Sequence, residues 1–204
     1  MENRNKNILK RKGGFALLIT IMVVSVVVAV TLAIVELSMK QLELSVNSVD
    51  SELAFQAANA GLECARFWRR DQSDEFENGD PVTFDCFDQS TTSNDSALTI
   101  TQTGVGEVYL YNAELSWGAA PFERCSQMDI ISMVVPATTT PPGVTLGNGT
   151  GSNSLKRVLA GYPSNSTTCD PGGQCTIMSV TGYSSSCINK NQSGTQRREI
   201  LLEF

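Results

Sequence analysis

The residues of this chain with the most predictable chemistry are its six cysteines. They are Cys64, Cys86, Cys125, Cys169, Cys175 and Cys187. All of them follow a long apolar segment, and an even number of cysteines in an exported domain indicates disulfides. Zinc is the alternative partner of these thiols, but the chain contains no histidine and no C-x-x-C pair. We therefore predict disulfides and no metal site at these positions.

The spacing of the cysteines favours one set of bonds. Cys169 and Cys175 would close the shortest plausible loop, because Pro171-Gly172-Gly173 between them can turn the chain. The remaining bonds would then join Cys64 to Cys86 and Cys125 to Cys187.

Motifs of common catalytic sites are absent from the sequence. Without histidine the chain lacks the usual general base near neutral pH, and no P-loop, G-x-G-x-x-G or G-x-S-x-G string occurs. We predict that the protein is not an enzyme and needs no cofactor. The acidic segment Asp71–Asp80 offers oxygen ligands for calcium, but its spacing differs from that of an EF-hand loop. We predict a solvated loop that ends the preceding helix, with a calcium site as the alternative.

A long apolar segment begins at the junction Lys12-Gly13-Gly14-Phe15. No residue from Phe15 to Val35 is charged, and about 20 such residues suffice to cross the hydrocarbon of a bilayer. The polar side chains within it, Thr20, Ser25 and Thr31, can donate hydrogen bonds to carbonyls of the same helix. We predict one transmembrane helix over residues 15–35.

The charge distribution predicts the orientation of this helix. Five basic residues and one acid precede Phe15, which by the positive-inside rule keeps the amino terminus cytoplasmic. Since the whole chain carries −6 and this leader +4, the remainder carries −10. Such an acidic part repels phosphate backbones, so we expect no nucleic-acid partner. A secretory signal peptide is the alternative for the leader and helix, but it would have a shorter apolar core and a small-residue cleavage site.

The helical pattern continues beyond the membrane segment. Apolar residues recur at alternating steps of four and three, which places them on one face of a helix. They are Val35, Met39, Leu42, Val46, Val49, Leu53, Ala57, Ala60, Cys64 and Phe67. We therefore divide the chain into a basic leader over residues 1–14, a helix over 15–70 and a globular head over 71–204.

Runs of strand-forming residues, separated by turn-rich stretches, fill the head. We predict strands over residues 97–103, 107–115, 129–135, 156–160, 176–183 and 197–204. One helix followed by several strands predicts an α+β fold, in which an antiparallel sheet packs on the second half of the helix.

The string Lys12-Gly13-Gly14-Phe15-Ala16-Leu17-Leu18-Ile19 resembles the start of proteins in the type IV filament superfamily. That superfamily comprises the type IV pilins and the pseudopilins of type II secretion. Its members share a basic leader ending in glycine, an apolar helix that opens with Phe, and a disulfide-bearing head. The resemblance implies that a prepilin peptidase cleaves after Gly14 and that the new amino group of Phe15 is methylated.

A second string, Leu53-Ala54-Phe55-Gln56-Ala57-Ala58-Asn59-Ala60-Gly61-Leu62-Glu63, is similar to the helix segment of PilX-type minor pilins. That family typically has Glu where Asn59 stands. Major pilins carry Glu where this chain has Ile19, and that carboxylate neutralises the terminal ammonium of the subunit ahead. A subunit with Ile19 needs no subunit ahead of it. The resemblance therefore implies a place at the filament tip, with a rare internal position as the alternative.

The resemblance implies that the protein is a minor pilin, a structural subunit of a type IV pilus at the tip or in priming of assembly. It assigns the filament-core helix to Ile19, Leu42, Val46, Val49, Leu53 and Ala57. The implied partners are major and other minor pilins, the prepilin peptidase, the inner-membrane assembly platform and membrane lipid. The protein would lie in the cytoplasmic membrane and then move into an extracellular filament. The alternatives are a type II secretion pseudopilin and a signal-anchored surface protein whose head binds a ligand.

Overall fold

The computed structural model describes residues 13–93, 95–96, 102–119, 122–140, 143–147, 155–159 and 161–204. The chain divides into two compact units, residues 1–48 and residues 49–204. In the first unit the described residues are all helical. The second unit combines helices with antiparallel strands, so its described residues form an α+β fold.

The longest element is helix α1 (Gly13–Asp71), which contains 59 residues. It contains no proline, and residues 15–60 contain no glycine, so the i to i+4 hydrogen bonding of the backbone continues over many turns. A short helix α2 (Ser73–Asn78) follows. It ends at Gly79, whose φ of 76° is the left-handed conformation that glycine adopts at helix ends.

The rest of the described chain contains ten strands, one more short α-helix and one turn of 3-10 helix at Cys187–Asn189. They are β1 (Val82–Cys86), β2 (Gln89–Ser93), β3 (Asp95–Ser96), β4 (Gln102–Thr103), β5 (Glu107–Trp117), β6 (Arg124–Val134), β7 (Val144–Leu146), α3 (Leu155–Val158), β8 (Thr167–Cys169), β9 (Gln174–Tyr183) and β10 (Arg197–Glu203). The main sheet has the strand order β10-β9-β6-β5-β3, and all its pairs are antiparallel. Strands β4, β7 and β8 form a smaller sheet, and β1 and β2 form a hairpin.

Successive side chains of the main sheet point to opposite faces, and each face contributes to a core. The first core lies between one face of the main sheet and three other elements, namely the second half of α1, α2 and β1. It includes Leu62, Phe76, Phe84, Tyr111, Met128, Ile130, Met178 and Val180. The second core lies between the opposite face of the main sheet and two elements, β7 and α3. It includes Leu110, Ile131, Met133, Val144, Leu146, Leu155, Leu159 and Ile177. The main sheet is therefore the middle layer of the second unit.

The predicted α+β class, with a long helix and an antiparallel sheet, is confirmed. The predicted strands over 107–115, 129–135, 176–183 and 197–204 coincide in large part with β5, β6, β9 and β10. Of the predicted strand 97–103, residues 97–101 lie outside the described residues and the last two form β4.

The predicted strand over residues 156–160 is wrong, because α3 occupies most of this segment. Leu155 and Leu159 are one helical turn apart, and the Leu159 N–H donates to the Leu155 carbonyl at 2.8 Å. Both leucine side chains are buried in the second core. A single turn of helix therefore buries both leucines on one side. An extended strand would bury a continuous apolar side only if every second residue of the segment were apolar.

The prediction of a loop over Asp71–Asp80 is also wrong, since α2 occupies most of that segment. Phe76 is fully buried there, with its ring centroid 4.8 Å from that of Tyr111 and 6.2 Å from that of Phe84. One aromatic anchor thus holds an otherwise acidic segment against the main sheet.

Three disulfides link the elements of the second unit. They join Cys64 to Cys86, Cys125 to Cys187, and Cys169 to Cys175. The first connects α1 with β1, the second connects β6 with the 3-10 helix that follows β9, and the third connects β8 with β9. This is the set of bonds that the cysteine spacing predicts.

Ser132 in β6 is a buried polar residue that allows a direct test of the packing. Its hydroxyl is fully buried and has no hydrogen-bond partner among the described residues, and such a hydroxyl costs free energy. We expect Ser132→Ala to raise the free energy of unfolding by up to about 1 kcal/mol. The measurement is guanidinium denaturation of the full chain in detergent, monitored by the fluorescence of Trp68 and Trp117.

Ser126 in the same strand provides the matched control for this substitution. It is equally buried, but its hydroxyl donates to the Ala57 carbonyl at 2.7 Å. Ser126→Ala should therefore lower the free energy of unfolding by about 1 kcal/mol or more. Equal losses in both variants would show that Ser132 has a partner after all.

Candidate functional site

The first part of α1 carries an apolar surface that the described chain does not cover. All large apolar side chains from Phe15 to Val49 are exposed, with exposed fractions between 45% at Ile19 and 73% at Phe15. We call residues 15–49 the apolar helix surface. Soluble monomers rarely expose contiguous apolar patches above a few hundred Å², so this surface requires a covering of lipid or protein.

The polar side chains of residues 15–35 are satisfied by the helix itself. The hydroxyls of Thr20, Ser25 and Thr31 donate to carbonyls three or four positions earlier, at 2.7 to 2.9 Å. These are the bonds that the sequence predicts. The helix is long and apolar enough to cross a membrane, with a mean hydropathy of 3.0 in its most apolar window.

The predicted cleavage site lies where α1 begins. Gly14 and Phe15 both belong to the first turns of the helix, and the Phe15 side chain is exposed. The predicted leader over 1–14 lies outside the described residues, except for its last two.

The second part of α1 packs closely on the main sheet. Ala54, Ala57 and Ala58 are fully buried. Gly182 of β9 faces them so closely that a Cβ added there would lie 2.1 Å from the Ala54 carbonyl oxygen and 2.2 Å from the Ala58 nitrogen. The hydroxyl of Ser126 in β6 also donates to the Ala57 carbonyl. Small residues on both elements therefore let the helix backbone touch the sheet backbone.

The buried face of α1 differs from the predicted apolar stripe. Phe67, which the stripe includes, is 59% exposed. Ala57 and Cys64 of the predicted stripe are buried, but so are Ala54, Ala58, Gly61 and Ala65, each one residue further along the helix than a predicted position. The periodicity of large apolar residues does not indicate this face, because the close contact with β9 and β6 selects alanine and glycine.

The residues assigned to the filament-core helix fall into two groups. Ile19, Leu42, Val46 and Val49 belong to the apolar helix surface and are exposed. Leu53 is half-buried. Ala57 is fully buried, and its carbonyl accepts a hydrogen bond from Ser126 of the main sheet.

Arg69 fixes the end of α1 to β9. Its side chain is buried, and its Nε donates to the Thr176 hydroxyl at 3.1 Å. The guanidinium also lies 5.4 Å from the ring centroid of Phe76. Burial lowers the pKa of Arg69, while the charges of Glu77 and Tyr111 act in the opposite direction. This arginine therefore belongs to the core and is not offered to an external phosphate.

The contact residues Gly182 and Ser126 were not predicted from the sequence. A signal for Gly182 was present, since glycine inside a strand marks a close approach of another backbone. Ser126 carried no such signal, because a serine in a strand is usually exposed.

The chemistry of the candidate site is burial of apolar surface. Among the described residues, no group of three or more acidic or cysteine side chains is arranged to hold a metal ion, and every cysteine forms a disulfide. The apolar helix surface is therefore the strongest candidate for function, since it must meet lipid or another chain. Comparisons with protein-family models, with curated proteins and with solved structures gave no match.

Proposed function

We propose that the protein is a minor pilin, a structural subunit of a type IV pilus. In this proposal a prepilin peptidase cleaves after Gly14, Phe15 becomes the methylated amino terminus, and α1 moves from the cytoplasmic membrane into the filament core. The head stays outside the membrane throughout. Its partners are major and other minor pilins, the inner-membrane assembly platform and membrane lipid.

One observation carries the proposal. The apolar helix surface is uncovered, while the next residues of the same helix are fixed to the head. That fixation uses the alanine contacts with β9, the Ser126 hydrogen bond and the Cys64–Cys86 disulfide. The exposed apolar side chains of residues 15–49 are suited to packing among other helices.

The energetics of transfer agree with this role. Lipid tails and neighbouring pilin helices are equally apolar, so moving residues 15–35 between them changes the free energy little. Packing between helices and the assembly machinery then provide the direction. A permanent signal anchor has the same surface but keeps its first 14 residues.

Processing tests the proposal. In cells that contain the peptidase, mass spectrometry should find a chain that starts at Phe15. Gly14→Val is expected to abolish cleavage, because the peptidase must accept the residue before the cut without a side-chain clash. Gly13→Val is the control, since this glycine is not the residue directly before the cut. Wild-type cells that hold only the uncut chain would overturn the proposal and favour the signal anchor.

Ile19 tests the position in the filament. In the tip hypothesis no subunit lies ahead of this one, so residue 19 has no terminal ammonium to neutralise. Ile19→Glu supplies the carboxylate that major pilins have at this position. The variant should therefore enter internal positions or change the number of filaments. Ile21→Glu is the control, because it has a similar insertion cost of about 3 kcal/mol without the pairing position. Immunogold labelling of sheared filaments measures the position of the subunit and the number of filaments for each variant. Identical labelling in wild type and Ile19→Glu would contradict the tip hypothesis.

A further inference from the structure

Strand β10 forms an open edge of the main sheet. It is the last strand in the order β10-β9-β6-β5-β3, so it has a neighbour on one side only. The backbone of Phe204 exchanges two hydrogen bonds with that of Thr176, and the Ser184 N–H donates to the Gln196 carbonyl. Such bonded pairs recur at every second residue of an antiparallel ladder, so the even-numbered residues of β10 bond to β9. The N–H and C=O groups of residues 197, 199, 201 and 203 therefore point away from the sheet.

These outward backbone groups are unpaired within the part of the chain that the structure describes. Arg197, Glu199 and Glu203 are exposed, and the three residues between Glu199 and Glu203 are half-buried. Proline and β-bulges commonly protect such an edge, but β10 contains no proline and pairs with β9 residue for residue. A row of unpaired N–H and C=O groups is a template for a further strand.

The charges of β10 complement those of a second copy of the same strand. When two copies pair in antiparallel fashion about a two-fold axis at Ile200, all seven residues of β10 lie opposite a residue of the other copy. Arg197 then faces Glu203 of the second copy, and the symmetry produces this contact twice. Glu199 faces Leu201, which carries no charge.

Other registers bring like charges together. A shift by two residues in one direction places Glu199 opposite Glu199 of the second copy, and a shift in the other direction places Glu199 opposite Glu203 twice. A parallel arrangement in register would place Arg197 beside Arg197. Like charges directly opposite each other destabilise a strand pair, so the charges favour the register centred on Ile200.

We propose that β10 binds β10 of a second copy of this chain in the antiparallel register centred on Ile200, so that two five-stranded sheets become one continuous sheet. The Glu203 carboxylate is ordered before the second copy arrives, because the hydroxyls of Tyr162 and Thr167 donate to it at 3.0 Å. Arg198 is engaged on the opposite face by the Ser51 hydroxyl, so it does not compete for Glu203.

The pairing fixes the relative direction of the two heads. Residues 49–71 of α1 run along the strands, since Gly182 lies against Ala54 and Thr176 accepts a hydrogen bond from Arg69. The two-fold axis is perpendicular to the joined sheet, so these helix segments lie on one side of it and run in opposite directions. The pairing therefore joins heads that approach each other from opposite directions, and copies side by side in the same orientation do not meet through β10.

Disulfide trapping of the full chain in non-ionic detergent tests the register. Seven residue pairs make a small contact, so we expect a Kd on the order of 100 μM and use trapping to capture the pair. The Cα atoms of the two residues 200 would lie about 4.5 Å apart, within reach of a disulfide. Ile200→Cys should therefore form a linked dimer under mild oxidation, as measured on a non-reducing gel.

Leu202→Cys is the matched control for this trapping experiment. Leu202 is half-buried and packs against the same core as Ile200. In the proposed register the two residues 202 are four positions apart along the strands, about 14 Å, which is too far for a disulfide. All native cysteines form disulfides, so the introduced cysteine is the only thiol in either variant.

Charge reversal tests the contact between Arg197 and Glu203. In chains that carry Ile200→Cys, Arg197→Glu creates two contacts between glutamates and Glu203→Arg creates two between arginines. Each should weaken association about tenfold, and cross-linking should fall accordingly. An equimolar mixture of the two variants restores both opposite-charge contacts, so it should cross-link as well as chains with Ile200→Cys alone. Guanidinium denaturation verifies that each variant is folded.

The proposal is overturned if Ile200→Cys stays monomeric, if Leu202→Cys cross-links equally, or if the mixed variants cross-link no better than either one alone. Association through the apolar helix surface would not respond to the charges of β10, so the mixture separates it from pairing of the edges. None of these outcomes bears on cleavage after Gly14. Failure of the edge pairing and failure of the minor-pilin proposal are therefore distinguishable.

Discussion

Gly182→Val is expected to separate α1 from the main sheet. A Cβ at this position would lie 2.1 Å and 2.2 Å from backbone atoms of the helix, and backbone cannot rotate away as a side chain can. The helix would have to move by more than 1 Å, which would open the packed contacts of Ala54, Ala57 and Ala58. Overpacking commonly costs about 1–3 kcal/mol, and we expect a value of about 3 kcal/mol or more because both obstacles are backbone.

The measurement is the midpoint of guanidinium denaturation, with Trp68 and Trp117 as reporters. Gly194→Ala is the control. A Cβ at residue 194 meets no atom within 4 Å, although its φ of 93° strains any other residue. That variant should lose about 1 kcal/mol from backbone strain alone. Equal midpoints for the two variants would mean that the helix does not touch β9 at this point.

Removal of the Cys125–Cys187 disulfide by the double substitution Cys125→Ala and Cys187→Ala is expected to have an effect of similar size. The two residues are 62 positions apart, so the bond removes much conformational freedom from the unfolded chain. The loop-entropy relation gives about 4 kcal/mol for a loop of this length. The double substitution leaves no unpaired thiol that could form another bond.

The Cys169–Cys175 pair supplies the comparison, since its residues are only 6 positions apart. The same relation gives about 2 kcal/mol for its removal. Guanidinium denaturation of the two double variants measures the difference between their losses in free energy of unfolding. Mass spectrometry verifies that the other disulfides remain intact. If the two losses are equal, loop entropy is not the source of the stabilisation.

The elements with strong local patterns were predictable from the sequence. The helix from Phe15 onward has neither glycine nor proline for many turns, so its continuation to Asp71 follows from periodicity. The β9 and β10 strands are runs of strand-forming residues next to turn-rich stretches, and both were predicted to within a few positions. The Cys169–Cys175 bond follows from one turn-rich loop, whereas the remaining four cysteines allow three pairings and the fold selects one of them.

The elements that depend on tertiary contacts were not predictable in this way. The β1–β2 hairpin turns at Phe87 and Asp88, whose φ values of 59° and 58° are left-handed, although neither residue is glycine. A sequence with Asn-Gly would signal such a turn, whereas Phe-Asp does not. The ring of Phe87 lies 5.4 Å from that of Trp117, so a contact distant in sequence stabilises the turn.

The same limit applies to the candidate site. Its apolar surface is visible in the sequence because about 20 consecutive uncharged residues have few alternatives to membrane or helix packing. The boundary between the exposed and the head-bound part of α1 is not visible. It is set by Gly182 and Ser126, which are more than 60 residues away in sequence from the alanines that they contact.

The Cys64–Cys86 bond has a mechanical consequence. When the amino-terminal end of α1 is pulled, tensile load first reaches the non-covalent contacts of Ala54, Ala57 and Ala58. Peeling of the helix from the sheet can then proceed only to Cys64, where the load passes through a covalent crosslink into β1. Under oxidising conditions, single-molecule force spectroscopy should therefore show a short extension before a stop, and reduction of this bond should lengthen it.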